Sequence, residues 1–164
     1  MADYTFTALA PTHDVGAFAC GNADIDDYLH HRAQTEQALS LCQVYVMVDA
    51  HLKVWAYGTL SPISVRIEGE LLKAVGLTQA PYKAIGGYLL GRLGVDKTLQ
   101  KGGVGKAIVA RLAKIAAQQR QVTGGVFLAV DPKEDWLVAW YEKLGFNRLD
   151  PRFRRLVLPL SSVG

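Results

Sequence analysis

Helical and extended segments alternate along this chain of 164 residues, which predicts an α+β or α/β domain built on a mixed sheet. Three observations carry that expectation. Apolar residues recur at helical spacing in three stretches and at strand-like density in several others. Half of the residues are hydrophobic and a fifth are charged, the balance of a folded chain. A chain of this length can also bury a sizeable core as one domain, residues 1–164.

The elements follow in order. Asn22 to Leu39 reads as one helix, with Ile25, Tyr28, Leu29 and Ala33 on one face and Asn22 or Asp24 as its cap. Val44–Val48 is β-branched and aromatic, Asp49-Ala50-His51 is a turn, and Val54–Leu60 is a second strand, so the pair forms a hairpin. Ser61-Pro62 breaks that pattern, residues 62–80 are ambiguous, and Ala80-Pro81-Tyr82 marks a loop. Gly86–Val95 is an apolar strand. Gly103–Gln119 is a helix with Val104, Ile108, Leu112, Ile115 and Ala116 on one face. Val126–Val130 is a short strand, Glu134–Leu144 a helix stopped by Gly145, and Phe153–Leu158 a closing strand.

Several classes of function are excluded. Two cysteines, Cys20 and Cys42, are too few for a disulfide scaffold. No His or Cys sits in a metal-ligand spacing, so no metal is expected. The start has neither a basic n-region nor an apolar h-region, and no apolar run is long enough to span a membrane. A cytoplasmic protein with no membrane partner is the expectation. The net charge of +3 conceals an asymmetry: residues 1–82 carry four basic and nine acidic side chains, residues 83–164 fourteen and six. A basic second half suits an anionic partner, such as a phosphate-bearing cofactor or a nucleic acid.

The chemistry concentrates between Leu93 and Lys106, where a strand runs into a glycine-rich turn that opens a helix. Glycines let the backbone approach a ligand, and the unpaired N–H groups of a helix start face it, aided by the helix dipole. That is an anion site, most naturally for a pyrophosphate. A P-loop would need Gly at 100 and Ser or Thr at 107, where the chain has Gln100 and Ala107; a dinucleotide fingerprint from Gly103 would need Gly at 108, where Ile108 stands.

The spacing Gln100-x-x-Gly103-x-Gly105 resembles the acyl-CoA loop of the GNAT N-acetyltransferases. Trp140-Tyr141-Glu142-Lys143-Leu144-Gly145-Phe146 is similar to that family's Y-x-x-x-G-F segment and places Tyr141 36 residues after Gly105. The resemblance implies a central twisted mixed sheet flanked by helices. It implies acetyl-CoA as cosubstrate and coenzyme A as product. Gln100 would open the cofactor-binding loop, the amides of Lys101, Gly102, Gly103, Val104, Gly105 and Lys106 would hold the pyrophosphate, and the backbone of Leu93 and Val95 would pair with pantetheine like an added strand. Tyr141 would protonate the leaving thiolate. No conventional base is evident, since His13, His30, His31 and His51 lie outside both segments and read as surface residues. An α-amine, with a pKa of about 7.7–8.0 against about 10.4 for lysine, needs little help to lose its proton.

Five further segments are similar to the acetyltransferase toxins of bacterial toxin–antitoxin modules: Phe18–Leu29, Val44–Val48, Tyr57–Ser61, Leu89–Asp96 and Val130–Asp135. The likeness runs from about residue 6 to 158. Gly58 is displaced by one position, and Gly91 and Gly94 stand where alanines are usual. This resemblance implies acetylation of the α-amine of aminoacyl-tRNA, a block of translation, neutralisation by a ribbon-helix-helix antitoxin and, at family level, a homodimer. Arg92, Lys97, Arg152, Arg154 and Arg155 are then candidate tRNA contacts, with Lys133 and Arg148 as further phosphate contacts; Lys101 and Lys106 could serve coenzyme A instead. Two other functions fit the same residues: acetylation of a small amine or a protein N-terminus, and a non-catalytic coenzyme A-binding module.

Overall fold

A seven-stranded mixed sheet in the order β1-β2-β3-β4-β5-β7-β6 organises the computed structural model, which describes residues 3–69, 71–79 and 82–164. The strands are β1 (Thr5–Ala8), β2 (Gln43–Val48), β3 (Val54–Arg66), β4 (Ala84–Val95), β5 (Phe127–Val130), β6 (Asn147–Arg148) and β7 (Leu156–Pro159). The helices are α1 (Ala23–His31), α2 (Ala33–Ala38), α3 (Leu71–Ala74), α4 (Val104–Thr123) and α5 (Asp135–Lys143). This is the mixed sheet with flanking helices that the alternation predicts. The chain divides into two compact units, Met1–Ser61 with Gly91–Ala110 and Pro62–Leu90 with Arg111–Gly164.

In the first unit, β2 pairs antiparallel with both β1 and β3. Its alternation is what a half-buried strand requires: Val44, Val46 and Val48 are buried and the residues between them are not. They pack with Phe18, Tyr28, Leu29 and Tyr57, each side chain contributing about 1.5–3 kcal/mol by leaving water. The expected hairpin is present, and Asp49 fixes its turn by accepting from the N–H groups of His51 and Lys53. The expected single helix over 22–39 is two helices. Asn22 caps α1, accepting from the N–H groups of Asp24 and Ile25. At Arg32 the backbone leaves the helical region (φ −124°, ψ −27°) and α2 starts on a new axis. That turn lets Gln37 bridge Leu9 O and Val44 N–H, both at 2.8 Å.

In the second unit, β5 is buried along its whole length, as a strand paired on both sides should be. Phe127, Ala129, Val157 and Val65 form its core with Ile67 and Val75. Ser61-Pro62 does not end a strand; β3 continues to Arg66. The pairing with β2 ends at Gln43–Leu60, so the missing Pro62 N–H takes nothing from that ladder. The ambiguous stretch resolves into the end of β3 and the short α3. Ala80 and Pro81 of the expected loop lie outside the described residues. The closing strand starts at Leu156 rather than Phe153, because 149–155 form a loop closed by Leu149 N–H on Arg155 O at 3.2 Å. Strand β1 has no counterpart in the sequence reading. Among the described residues, no helix is long and apolar enough to cross a membrane.

One glycine locks the end of β4. A Cβ on Gly94 would meet Ile25 Cγ2 at 2.7 Å and the rings of Phe18 and Tyr57 at 3.1 Å, and both rings are buried. Alanine therefore does not fit where the resembling toxins carry it. Replacement Gly94→Ala should destabilise the fold by about 1–3 kcal/mol through overpacking. Gly86→Ala, with open space around its Cβ, should leave the urea midpoint nearly unchanged. Equal midpoints for the two variants would show that the 18–57 contact yields freely.

Candidate active site

The glycine turn of the first unit has the form the sequence predicts. Strand β4 ends at Val95, a short 3-10 turn covers Lys97–Leu99, and α4 opens at Val104. The chain enters the helix through two left-handed residues, Lys101 (φ 68°) and Gly103 (φ 82°). Nothing lies within 4 Å of the place a Gly103 Cβ would take, so the space in front of this backbone is open. The first helical hydrogen bond here is Ala107 N–H to Gly103 O at 3.1 Å. The N–H groups of Val104, Gly105 and Lys106 precede it and, as at any helix start, have no carbonyl of the helix to meet. Open space, unmatched amides and two exposed lysines, Lys101 and Lys106, fit a pyrophosphate.

The strand leading into the turn has one edge that no strand covers beyond Leu90. Parallel pairing of β4 with β5 covers only Tyr88–Leu90 against Leu128–Val130, and β4 then runs five residues further. Leu93 and Val95 lie on this continuation, an extended backbone edge of the kind that accepts an added strand. Gln100 does not reach forward to the turn's open space. Its Nε2 donates back to Cys20 O at 2.6 Å and Val95 O at 2.9 Å. It ties the turn to the strand end and to the segment before α1.

Asp96, which sequence reasoning missed, completes that tie. It is 5% exposed and accepts from Ala19 N–H (3.3 Å), Thr98 N–H (3.1 Å) and Thr98 Oγ1 (2.8 Å). Lys97 N–H in turn meets Ala19 O at 2.9 Å. Burial pushes the Asp96 carboxyl up, but the hydrogen bonds from Thr98 and Ala19 outweigh it and hold the group below its ordinary value. The local sequence Asp96-Lys97-Thr98 is an Asx turn and carried a signal for this role. Arg92 is engaged as well: its guanidinium lies 3.8 Å from the centre of the Tyr28 ring and its N–H meets the buried Thr59 hydroxyl at 3.0 Å. Of the histidines read as surface residues, His30 is hydrogen-bonded to Phe18 O at 2.9 Å and His13 Nδ1 accepts from Ala10 N–H at 2.9 Å. They are structural ties.

In the second unit, Tyr141 lies on the inner face of α5 and is 5% exposed. Its ring meets Trp140 and Phe146 edge-on, at 4.9 and 5.3 Å between centroids. Gly145, at φ 101°, ends the helix and turns the chain so that Phe146 N–H meets Tyr141 O at 3.2 Å. Apolar burial pushes the Tyr141 phenol well above its ordinary value, so it keeps its proton at neutral pH. Among the described residues no hydrogen-bond partner meets this hydroxyl.

Three of the C-terminal arginines are each met by a carboxylate that the sequence reading did not connect to them. Arg155 pairs with Asp131 through two bonds of 2.6 and 2.7 Å, Arg154 with Asp135 at 3.0 Å, and Arg152 with Asp150 at 2.8 Å. The Arg152 contact pushes the Asp150 carboxyl down to about 2. Lys97 is exposed on the turn of the first unit.

The Asp96 tie has a pH signature. A carboxyl lowered by folding contributes stability above its unfolded pKa, and the contribution is lost as pH falls through the folded value. The destabilisation caused by Asp96→Asn should therefore be full at pH 6–7 and shrink below about pH 4. Urea midpoints across that range measure it; a pH-independent difference would remove the charge of Asp96 from the tie.

The comparisons agree with this geometry. The model of the acetyltransferase (GNAT) family matches residues 26–146. Among solved structures, a tyrosine-to-phenylalanine variant of KacT superposes with a TM-score of 0.89 at 22% identity, over 98% of this chain and 96% of that one. AtaT complexed with acetyl-methionyl-tRNAfMet superposes with a TM-score of 0.86 at 22% identity, over 98% and 97%. A variant AtaT toxin bound to the C-terminus of the antitoxin AtaR and acetyl-CoA gives 0.83 at 21%, over 98% and 96%. The family match crosses both units and most of the chain, and the protein belongs to the GNAT acetyltransferase family.

Proposed function

We propose that this chain acts as one catalytic domain, residues 1–164, that acetylates the α-amine of aminoacyl-tRNA in the cytoplasm. It is neutralised by a ribbon-helix-helix antitoxin. The observation that carries the acetyl-transfer part is the open glycine turn at the unmatched end of β4, in a chain of this family. The acceptor is supported by the fold shared with AtaT, which is known in complex with acetyl-methionyl-tRNAfMet, and by the basic second half. The antitoxin is supported by the fold shared with AtaT bound to AtaR.

Acetyl-CoA supplies an acetyl group activated as a thioester. The amides of 101–106 bind its pyrophosphate, and the β4 edge at Leu93 and Val95 aligns its extended arm. An α-amine is substantially neutral at working pH, so positioning alone presents its lone pair to the carbonyl. As the N–C bond forms and the C–S bond breaks, the electron pair goes to sulfur. The Tyr141 hydroxyl donates its proton there, and water returns the amine's proton to the tyrosinate. A phenol carries its proton at neutral pH and so has one to give.

Tyr141→Phe keeps the ring contacts and removes only the proton. It should lower kcat by about 10²-fold and leave acetyl-CoA affinity and melting temperature unchanged. An unaltered kcat would reduce Tyr141 to packing.

The acceptor is tested with charged total tRNA and radiolabelled acetyl-CoA. Label should stay on intact aminoacyl-tRNA and be lost when the ester is hydrolysed. Expression without the antitoxin should arrest growth. Label only on polyamines or protein, with normal growth, would replace this function by small-amine or N-terminal acetylation.

A further inference from the structure

In the second unit, Lys133, Asp135, Arg148, Arg152, Phe153 and Arg154 bound a depression of about 550 Å³. Its charges are not equivalent. Arg152 and Arg154 are held by Asp150 and Asp135. Lys133 and Arg148 have no carboxylate within 4.0 Å among the described residues. These two cations are the ones a phosphate can engage without displacing a carboxylate.

The same depression is lined by an exposed aromatic ring. Phe153 is 62% exposed, yet its backbone is pinned on both sides. Its N–H meets Asp150 O at 3.0 Å and its carbonyl accepts from Arg148 Nε at 2.8 Å. Asp150 also accepts from Arg152 N–H at 2.8 Å, and the Arg152 guanidinium lies 5.6 Å from the Phe153 ring centre. A large exposed apolar ring on an anchored backbone, with cations beside it, has the chemistry of a single-strand site: rings stack on bases while cations meet phosphates. A duplex hides its base faces in its own stack. An acidic peptide matches the charge but offers no flat face to the ring.

We infer that this depression seats an unpaired nucleotide segment, its base stacked on Phe153 and its phosphates on Lys133 and Arg148. The inference rests on the tRNA acceptor proposed above and specifies which part of such a molecule this face takes.

The test is fluorescence anisotropy on the full-length protein with three probes: a labelled single-stranded RNA hexamer, a blunt RNA duplex of the same composition and a labelled acidic hexapeptide. The hexamer should bind best. Phe153→Ala should weaken it about tenfold or more, while Phe153→Tyr keeps it. Lys133→Ala should reduce the slope of log affinity against log salt by about 0.7, one phosphate contact on a single strand. Exposed substitutions leave the melting temperature in place, which checks folding. Unchanged hexamer binding by Phe153→Ala overturns the inference, as does a duplex bound equally well. Preferred binding of the acidic peptide would assign the face to a protein instead. The charged-tRNA assay separates the two proposals. Label on charged tRNA with Phe153→Ala binding normally defeats only this site; expected hexamer binding without label on charged tRNA defeats only the acceptor.

Discussion

The parallel ladder between β4 and β5 lasts for three residue pairs, and the rest of the candidate site depends on where it stops. Backbone N–H and C=O groups have to be satisfied by protein, water or ligand. A ladder that continued to Val95 would close the edge of β4 and leave nothing for an extended amide chain to pair with. The same accounting governs the turn that follows, where the first N–H groups of α4 have no carbonyl one turn back. The recognition proposed here is therefore made largely of backbone. That is why the sequence shows it as glycines and spacing rather than as charged side chains. It also explains why the strand end is so firmly held: Gly94 packs against Phe18, Tyr57 and Ile25, and Asp96 and Gln100 tie the turn to residues 19 and 20.

Charge tells a second story, at two scales. Over the whole chain the basic residues gather in the second half. At atomic scale most of the C-terminal arginines already have a carboxylate beside them. Such exposed pairs contribute little to stability, about 0–1 kcal/mol each, so their presence does not argue for a structural purpose. What they do is hold long side chains in one place. An arginine oriented by Asp131, Asp135 or Asp150 offers its remaining donors in a fixed direction, at less entropic cost than a free one. The carboxylates also lower the local positive charge, so this face attracts phosphates less strongly than the raw arginine count suggests.

Much of the fold was legible because it is local. Periodicity located α4, α5, β2 and β5 within a few residues, and the strand–turn–helix at 93–106 was visible from glycine spacing. The failures are places where a distant partner decided. The break at Arg32 serves Gln37, whose partners are Leu9 and Val44. Pro62 looked like a terminator, yet the strand beside it had already ended. Strand β1, four residues of mixed polarity, exists because β2 is there to pair with it. In the site, Gln100 was placed by its motif but its tether to Cys20 spans 80 residues, and the carboxylate partners of Arg154 and Arg155 lie 19 and 24 residues away. No local pattern encodes such pairs.

The tyrosines show how geometry sharpens what spacing suggests. Three are buried: Tyr28, Tyr57 and Tyr141. Tyr28 uses its hydroxyl on Glu36 and Cys42, both at 3.1 Å, and Tyr57 donates to Ile25 O at 2.6 Å. Those two are core rings whose polar ends are satisfied inside the protein, as buried polar groups ordinarily are. Tyr141 is nearly as enclosed, but among the described residues no hydrogen-bond partner meets its hydroxyl. A phenylalanine would fill the same space against Trp140 and Phe146 without bringing a polar group to that face. A hydroxyl without such a tie is available for the proton donation proposed for Tyr141.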